Sequence, residues 1–338
     1  MRSSTRGSRG DERFEVLNQV SVPAETPEVA EHALTGTQAL PSTMAGRAVR
    51  VARVLLRDPL LVVGVVIVAI SLFLVVMGPW MAPYDPQLPT LDVSQAPPAL
   101  SDIPSLVLQT LQGQLHHPVH WFGTDSTGLD VFSRVLVAPR VDVVVGLSAT
   151  ALSFLLGTLL GLFAGFFGTR SAESIIRVSD VFQSFPIFIL AMILVVLTGR
   201  NVIDIVVTLA CLYTPIYLRL TCSQVVSQVG RTYVEAARAV GNREIVIALK
   251  HVLPNSLTPA LIQASVTIGW AILFTAGLTF LGAGVRPPTP EWGGMIAASA
   301  NYLVLGEWWP SVFPGIAISV TVFGYAIIGN VLEARYRQ

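Results

Sequence analysis

Charge is scarce in this chain. Only 12% of its 338 residues are Asp, Glu, Lys or Arg, about half the share usual in soluble domains. The 21 acids and 21 bases cancel, so no overall field draws in a nucleic acid. Cysteine is nearly absent. Cys211 and Cys222 fall in or beside one apolar run, and their spacing suits neither a disulfide framework nor a zinc site, so they read as small hydrophobes. No G-x-x-x-x-G-K-[ST] run occurs, which excludes the phosphate-cradling loop of a P-loop ATPase. The apolar runs hold almost no ionisable residues in their middles: Asp142, Arg177, Asp180 and Asp204 all lie near run ends. A carrier driven by a proton or ion relay normally places such groups inside the membrane. No histidine lies in any of these runs, so Ser148 of Gly146-Leu-Ser-Ala, the nearest imitation of a nucleophile motif, has no base. A secondary carrier and an intramembrane enzyme are thus the alternatives that the chemistry disfavours.

Hydrophobic residues make up 52% of the chain, and they come in six runs long enough to span a bilayer, about 59–79, 141–167, 178–198, 202–220, 257–281 and 312–332. The first starts too far along the chain for a cleavable signal peptide. The expected fold is therefore an all-α integral membrane protein. Residues 1–45, rich in Ser, Thr, Gly, Pro, Glu and Arg, read as a disordered cytoplasmic tail. Arg47, Arg50, Arg53 and Arg57 recur among apolar residues in segment 46–58. That pattern suits a basic interfacial helix on lipid headgroups, or equally a charged flank without a defined helix.

Charge asymmetry sets the orientation. Residues 80–140 carry Asp85, Asp92, Asp102, Asp125 and Asp130 against Arg134 and Arg140, a surplus of acid. Residues 219–250 carry Arg219, Arg231, Arg238, Arg243 and Lys250 against Glu235 and Glu244, a surplus of base. Positive loops stay inside, so 80–140 is the external loop, 231–255 is cytoplasmic, and six spans put both termini in the cytoplasm. Trp80, Tyr84, Trp308 and Trp309 are expected as interface aromatics.

Within the spans, Gly157, Gly161 and Gly165 form a small-residue ridge for another helix, packed statically or sliding. Pro186 is expected to kink the third span and Pro215 lies in the fourth. Gln183, Thr214, Gln263 and Thr275 either line a path or bond to neighbouring helices. His116, His117 and His120 supply three imidazoles within five residues, but no Cys accompanies them and no metal site is assigned.

The polar island 231–255 reads as a short helix, a glycine turn and a second short helix. Val234, Ala237 and Gly241 share a face. Gly241 suits a left-handed helix end, Asn242 a following N-cap, and Pro254 the end of the second helix or the start of the next span. Glu235-Ala236-Ala237, Gly241 and Leu253-Pro254 resemble the EAA loop of bacterial ABC-importer permeases. A second resemblance is narrower. Ala82-Pro-Tyr-Asp-Pro86 and the run His120-Trp-Phe-Gly-Thr-Asp-Ser-Thr-Gly-Leu-Asp-Val-Phe-Ser-Arg134 look like the peptide and nickel branch, in its second permease subunit. So does Phe280-Leu-Gly-Ala-Gly-Val-Arg-Pro-Pro-Thr-Pro-Glu-Trp-Gly-Gly-Met295, a turn-rich external loop. Leu129 stands where that branch usually has arginine, Pro139 where it has glycine, and about 101–117 looks like an insertion.

The resemblance implies a type I ABC importer permease fold with an EAA-type cytoplasmic coupling loop. It implies a non-enzymatic subunit in a bacterial inner membrane that takes up peptides or similarly sized solutes. Its partners would be a homologous permease subunit in a heterodimer, two ABC ATPase subunits and an extracytoplasmic solute-binding protein, with no cofactor. Glu235, Ala236, Ala237, Gly241 and Pro254 would be the ATPase-coupling residues. His120, Gly123, Asp125, Gly128, Asp130 and Arg134 would form the external motif. Asp125, Asp130 and Arg134 would order the external gate or the binding-protein contact, or else only cap the entry to the second span.

Overall fold

A computed structural model describes residues 58–99, 101–112, 119–168 and 170–336. The tail 1–45, the basic segment 46–57, His116 and His117 lie outside the described residues. Thirteen α-helices follow in order among the described residues: α1 Pro59–Met81, α2 Ile103–Leu111, α3 Val131–Val137, α4 Pro139–Phe167, α5 Arg170–Gln183, α6 Ile187–Thr198, α7 Val202–Val229, α8 Thr232–Ala239, α9 Glu244–Val246, α10 Leu253–Ser256, α11 Thr258–Phe280, α12 Trp292–Ser299 and α13 Trp309–Tyr336. A π-helical stretch, Ile247–Val252, joins α9 to α10, and a 3₁₀ stretch, Ala300–Leu305, follows α12. No strand occurs among the described residues.

Five continuous helical segments are long and apolar enough to cross a bilayer: α1, α3 with α4, α7, α11 and α13. The sixth crossing is not a kinked helix. α5 and α6 meet at a 93° break, which corrects the expectation of one span over 178–198 bent at Pro186. Pro186 has no N–H to return to the carbonyl of Phe182, and its ring clashes with a continuing helical turn. It sits instead as the N-cap of α6 in extended geometry. Arg170, Glu173 and Arg177, expected in a short cytoplasmic turn, belong to α5. The two ends of the broken pair lie at opposite ends of the bundle. α5 starts beside the end of α4, whereas α6 ends at Gly199, whose carbonyl accepts from Arg286 at 3.4 Å beyond the far end of α11.

The faces follow from contacts. Asp58, before α1, pairs with Arg335 at the end of α13 at 3.7 Å, so both ends of the described chain share one face. Gly78, near the end of α1, lies against the Leu136 carbonyl of α3. Arg134 donates to the Pro288 carbonyl and Trp309 to the Thr124 carbonyl, so the described residues of 82–138 and the 281–308 segment share the opposite face. The span ends differ from the hydropathy reading mainly by extension: the fourth runs to Val229 and the sixth from Trp309 to Tyr336, because polar residues continue each helix beyond its apolar centre.

The glycine ridge decides the central packing. A Cβ on Gly157 would meet the Tyr217 Cβ at 2.5 Å. On Gly161 it would meet the Leu218 carbonyl at 2.6 Å, and on Gly165 the Cys222 carbonyl at 2.8 Å. The ridge therefore seats α7 against α4 within this chain. Around that contact Val145, Ala149, Ile205, Leu209, Tyr213, Tyr217 and Leu278 form the main buried cluster. Most of α1 stays exposed on its apolar surface, as suits a helix whose remaining solvent is lipid.

Candidate functional site

Two polar assemblies stand at opposite faces of the bundle. The first is the turn 231–255. α8 begins after Arg231 and presents Val234 inward, fully buried, with Tyr233 and Ala237 beside it. These pack on Leu162 and Phe166 of α4, Val225 of α7, and Ile247, Ala248 and Val252 of the π-helical stretch. The helix ends at Gly241, with φ +87. Gly241 N–H donates to the Arg238 carbonyl at 2.9 Å, and Asn242 N–H to the Ala237 carbonyl at 3.2 Å. That arrangement is a glycine C-terminal cap. A Cβ at Gly241 would touch nothing within 4 Å, so the glycine answers the backbone angle and not a close approach. Gly241 itself is exposed and does not share the buried face of Val234 and Ala237. Asn242 is not the next N-cap. Arg243 holds that place without a side-chain bond, because the Asn242 backbone is spent on closing α8.

Arg238 locks the turn. Its Nε and a terminal nitrogen donate to the two carboxylate oxygens of Glu244 at 2.9 and 3.2 Å, and its guanidinium lies 5.9 Å from the Phe166 ring centre. The Glu244 contact is what raises the Arg238 pKa. No sequence signal singles out this clamp, since Arg238 and Glu244 read simply as loop charge. Glu235, Ala236 and Pro254 are all exposed on the same assembly. Pro254 stands at the start of the helical run into the fifth span and does not end the second short helix. It lies in α10, and the π-helical widening before it accommodates the missing N–H.

The second assembly is a latch on the opposite face. Asp130 is fully buried and caps α3, accepting from Ser133 N–H at 2.7 Å. Its other oxygen is 2.7 Å from His120 Nδ1. His120 Nε2 is 3.6 Å from Asp92, and Tyr84 stacks on the imidazole at 4.3 Å. Tyr84 is therefore part of the latch and not an interface aromatic. Arg134 donates to the carbonyls of Pro86 at 2.9 Å and Pro288 at 3.2 Å, tying the Ala82–Pro86 corner to the proline-rich loop. Asp125 folds its own turn, accepting from Thr127 and Leu129 N–H, both at 2.9 Å. Gly123 and Gly128 have φ of +70 and +80, and a Cβ at either would strike a carbonyl, Gln95 at 2.3 Å or Thr90 at 2.5 Å. Trp309 is buried and donates to the Thr124 carbonyl at 2.9 Å, so it too is an anchor and not an interface residue. The 101–117 insertion contributes α2.

The turn-rich loop expected over 280–295 is shorter than its proline and glycine content implies. Glu291 caps α12, accepting from Gly293 and Gly294 N–H at 3.0 and 2.6 Å. Asp142 accepts from Trp292 N–H at 3.1 Å, and the Glu291 carboxyl faces it electrostatically. Burial pushes the Glu291 carboxyl up, against the Gly293 and Gly294 N–H bonds that favour its charged form. No sequence signal points to this carboxyl pair: its members are 149 positions apart and each alone reads as a helix-end acid.

Among the four polar span residues, Thr214 donates to the Ala210 carbonyl, Thr275 to Ala271, and Gln263 to Thr267, each within its own helix. Gln183 lies exposed at the break between α5 and α6.

A family described as binding-protein-dependent transport system inner membrane component matches residues 157–338. A second, described as the N-terminal TM domain of oligopeptide transport permease C, matches residues 47–98. The chain is 36% identical to the probable D,D-dipeptide transport system permease protein DdpC of Escherichia coli (strain K12), over 81% of this chain and 85% of that one. It is 35% identical to the di/tripeptide transport system permease protein DppC of Pseudomonas aeruginosa (strain UCBPP-PA14), over 80% and 85%. A chain of the MetNI methionine ABC transporter in an inward-facing conformation aligns with a TM-score of 0.43 at 19% identity, over 57% of this chain and 93% of that one.

Proposed function

The chain belongs to the binding-protein-dependent transport system inner membrane components, and on that premise we propose that it is the permease that couples peptide passage to ATP hydrolysis on separate subunits. It is a multi-pass membrane protein and a transport subunit, not an enzyme. ABC permeases work with ATPase and solute-binding chains. The finer reading is a heterodimer with a homologous permease, two ATPases on the face bearing 231–255, and a solute-binding protein on the face bearing the latch. That reading puts the first face in the cytoplasm of a bacterial cell. Relatives named for D,D-dipeptides and for di- and tripeptides favour short peptides as the solute.

One observation carries the coupling role. The exposed residues Glu235 and Ala236 sit on a helix whose other side is buried in the ends of α4 and α7. A push on α8 therefore reaches two central spans through packed side chains, which transmit displacement because interiors are dense. Glu235 offers a charge to a donor on the ATPase. Losing one charged partner in such a desolvated contact costs about 2–5 kcal/mol. Secondary transport and intramembrane catalysis gain nothing from this arrangement.

The test is uptake and ATP hydrolysis by the complex in vesicles, with the ATPases and the binding protein present. Glu235→Ala should weaken ATPase association while leaving the spans inserted. Gly241→Val forces a branched residue into a left-handed conformation, at about 1–2 kcal/mol or more, and should disorder the start of α9. Both should abolish uptake and flatten the stimulation of hydrolysis by the binding protein. Wild-type transport by both variants would remove 231–255 as the coupling element.

A further inference from the structure

We propose that the break at Gln183–Pro186 forms part of the wall of the water-filled path, where the Gln183 amide and the carbonyls released at the break meet the backbone of the passing peptide. This rests on the importer reading and adds to it the place where the solute is touched.

Depth comes first. α6 has 12 residues, so at 1.5 Å per residue its start lies about 18 Å from its end at Gly199. Gly199 is tied to Arg286 on the latch face. A hydrocarbon core is about 30 Å thick, so the break lies near its middle. The neighbouring residues agree: Leu212 and Ile216, about halfway along α7, face the break across a cavity of about 400 Å³ lined also by Phe182, Gln183, Phe185 and Ile187.

Solvation then decides what the break faces. Every residue from 180 to 187 is exposed on this chain. At the break Pro186 leaves the Phe182 carbonyl without its helical donor, and no side chain caps α6. Irregular backbone at this depth is not tolerated against lipid. It occurs where protein buries it or where it lines water. Asp180, one turn before Gln183 on α5, pairs with Arg219 of α7 at the end of the fourth apolar run, and both side chains are 51% exposed. Three features thus share the break itself: a free amide, released carbonyls, and the apolar Phe182 and Phe185. Those are the groups that recognise a peptide without choosing its sequence: hydrogen-bonding partners for the main chain and a permissive apolar surface for side chains.

The experiment uses the whole complex in vesicles, with Cys211→Ser and Cys222→Ala in this chain as the parent. Gln183→Cys and, independently, Phe185→Cys are treated with a membrane-impermeant, positively charged methanethiosulfonate. Ile70→Cys on the lipid-exposed side of α1 is the control. Path-lining thiols should react at least about tenfold faster than the Ile70→Cys control, and their modification should stop uptake of a mixture of di- and tripeptides. If both variants react as slowly as Ile70→Cys, the break is dry against lipid or another subunit, and the proposal falls. It falls equally if fully modified protein transports at the unmodified rate. Failure of the parent complex to import peptides with ATP would instead count against the importer reading, whatever the thiols do.

Discussion

Glu291 and Asp142 form a carboxyl–carboxyl contact that is almost wholly buried. Arg134 faces Glu291 electrostatically, but its hydrogen bonds go to Pro86 and Pro288. Thr279 and the Gly293 and Gly294 N–H groups complete the surroundings of Glu291. Two carboxyls this close cannot both ionise cheaply, and we predict that the pair shares one proton. The folded pKa of Glu291 lies above its unfolded value, near 4.3. The stabilising contribution is therefore fully present below that unfolded value and is lost as pH rises through the folded one. Asp142→Asn supplies the shared hydrogen permanently and keeps an oxygen for Trp292 N–H. We expect the unfolding midpoint of the detergent-solubilised wild type to drop as pH climbs from about 4 to 8, and that of Asp142→Asn to stay nearly level. Parallel curves for the two proteins would refute the shared proton. At this scale the sequence is legible where a residue's need is local. Gly241 follows a short helix, its position predicts a left-handed turn, and it has that angle. Asn242 defies the same kind of reading, because a cap depends on which backbone groups remain unpaired after the turn closes.

Helix by helix, the contact between α4 and α7 shows what spacing can and cannot say. Glycines at every fourth position announce a helix partner. They do not say which, and the partner is α7 of the same chain. Gly161→Leu would put a Cβ 2.6 Å from the Leu218 carbonyl, a backbone atom that cannot swing aside. Such overpacking typically costs about 1–3 kcal/mol. A Cβ added at Gly315 in α13 would meet no atom within 4 Å, so Gly315→Ala serves as the matched comparison. Yield and unfolding midpoint should fall for Gly161→Leu and hold for Gly315→Ala. Equal behaviour of the two would mean that the ridge is not a tight seam. The α5–α6 break escapes the sequence for a related reason. A proline in an apolar run is compatible with a kink, a break or a straight packed helix. Which of these occurs depends on the packing of both flanking helices, and here the chain turns by 93°.

For the molecule as a whole, the two polar assemblies lie at opposite ends of the spans, and the described chain ends share the face of the coupling turn. From the loop charges we propose that this face is cytoplasmic. Ser126→Cys should then react with an impermeant thiol reagent reaching the outer surface of the membrane. Asn242→Cys should react only after the membrane is opened. The reverse pattern would invert the molecule and remove the coupling turn from the reach of cytoplasmic ATPases.

Composition and periodicity alone determined that the chain is helical and membrane-embedded. Those properties depend on hydropathy summed over tens of residues. The resemblance of the segments around Glu235, Asp130 and Glu291 to permease motifs pointed to the stretches that form the polar assemblies, though not to the contacts they make. Tertiary structure decided the rest. It made Tyr84 and Trp309 latch anchors, set Asp142 beside Glu291 and paired Arg238 with Glu244, and left Gln183 exposed at the α5–α6 break while Thr214, Gln263 and Thr275 bonded within their own helices. Each of these outcomes depends on which groups remain unsatisfied after distant segments meet, and that balance is struck only when the spans pack.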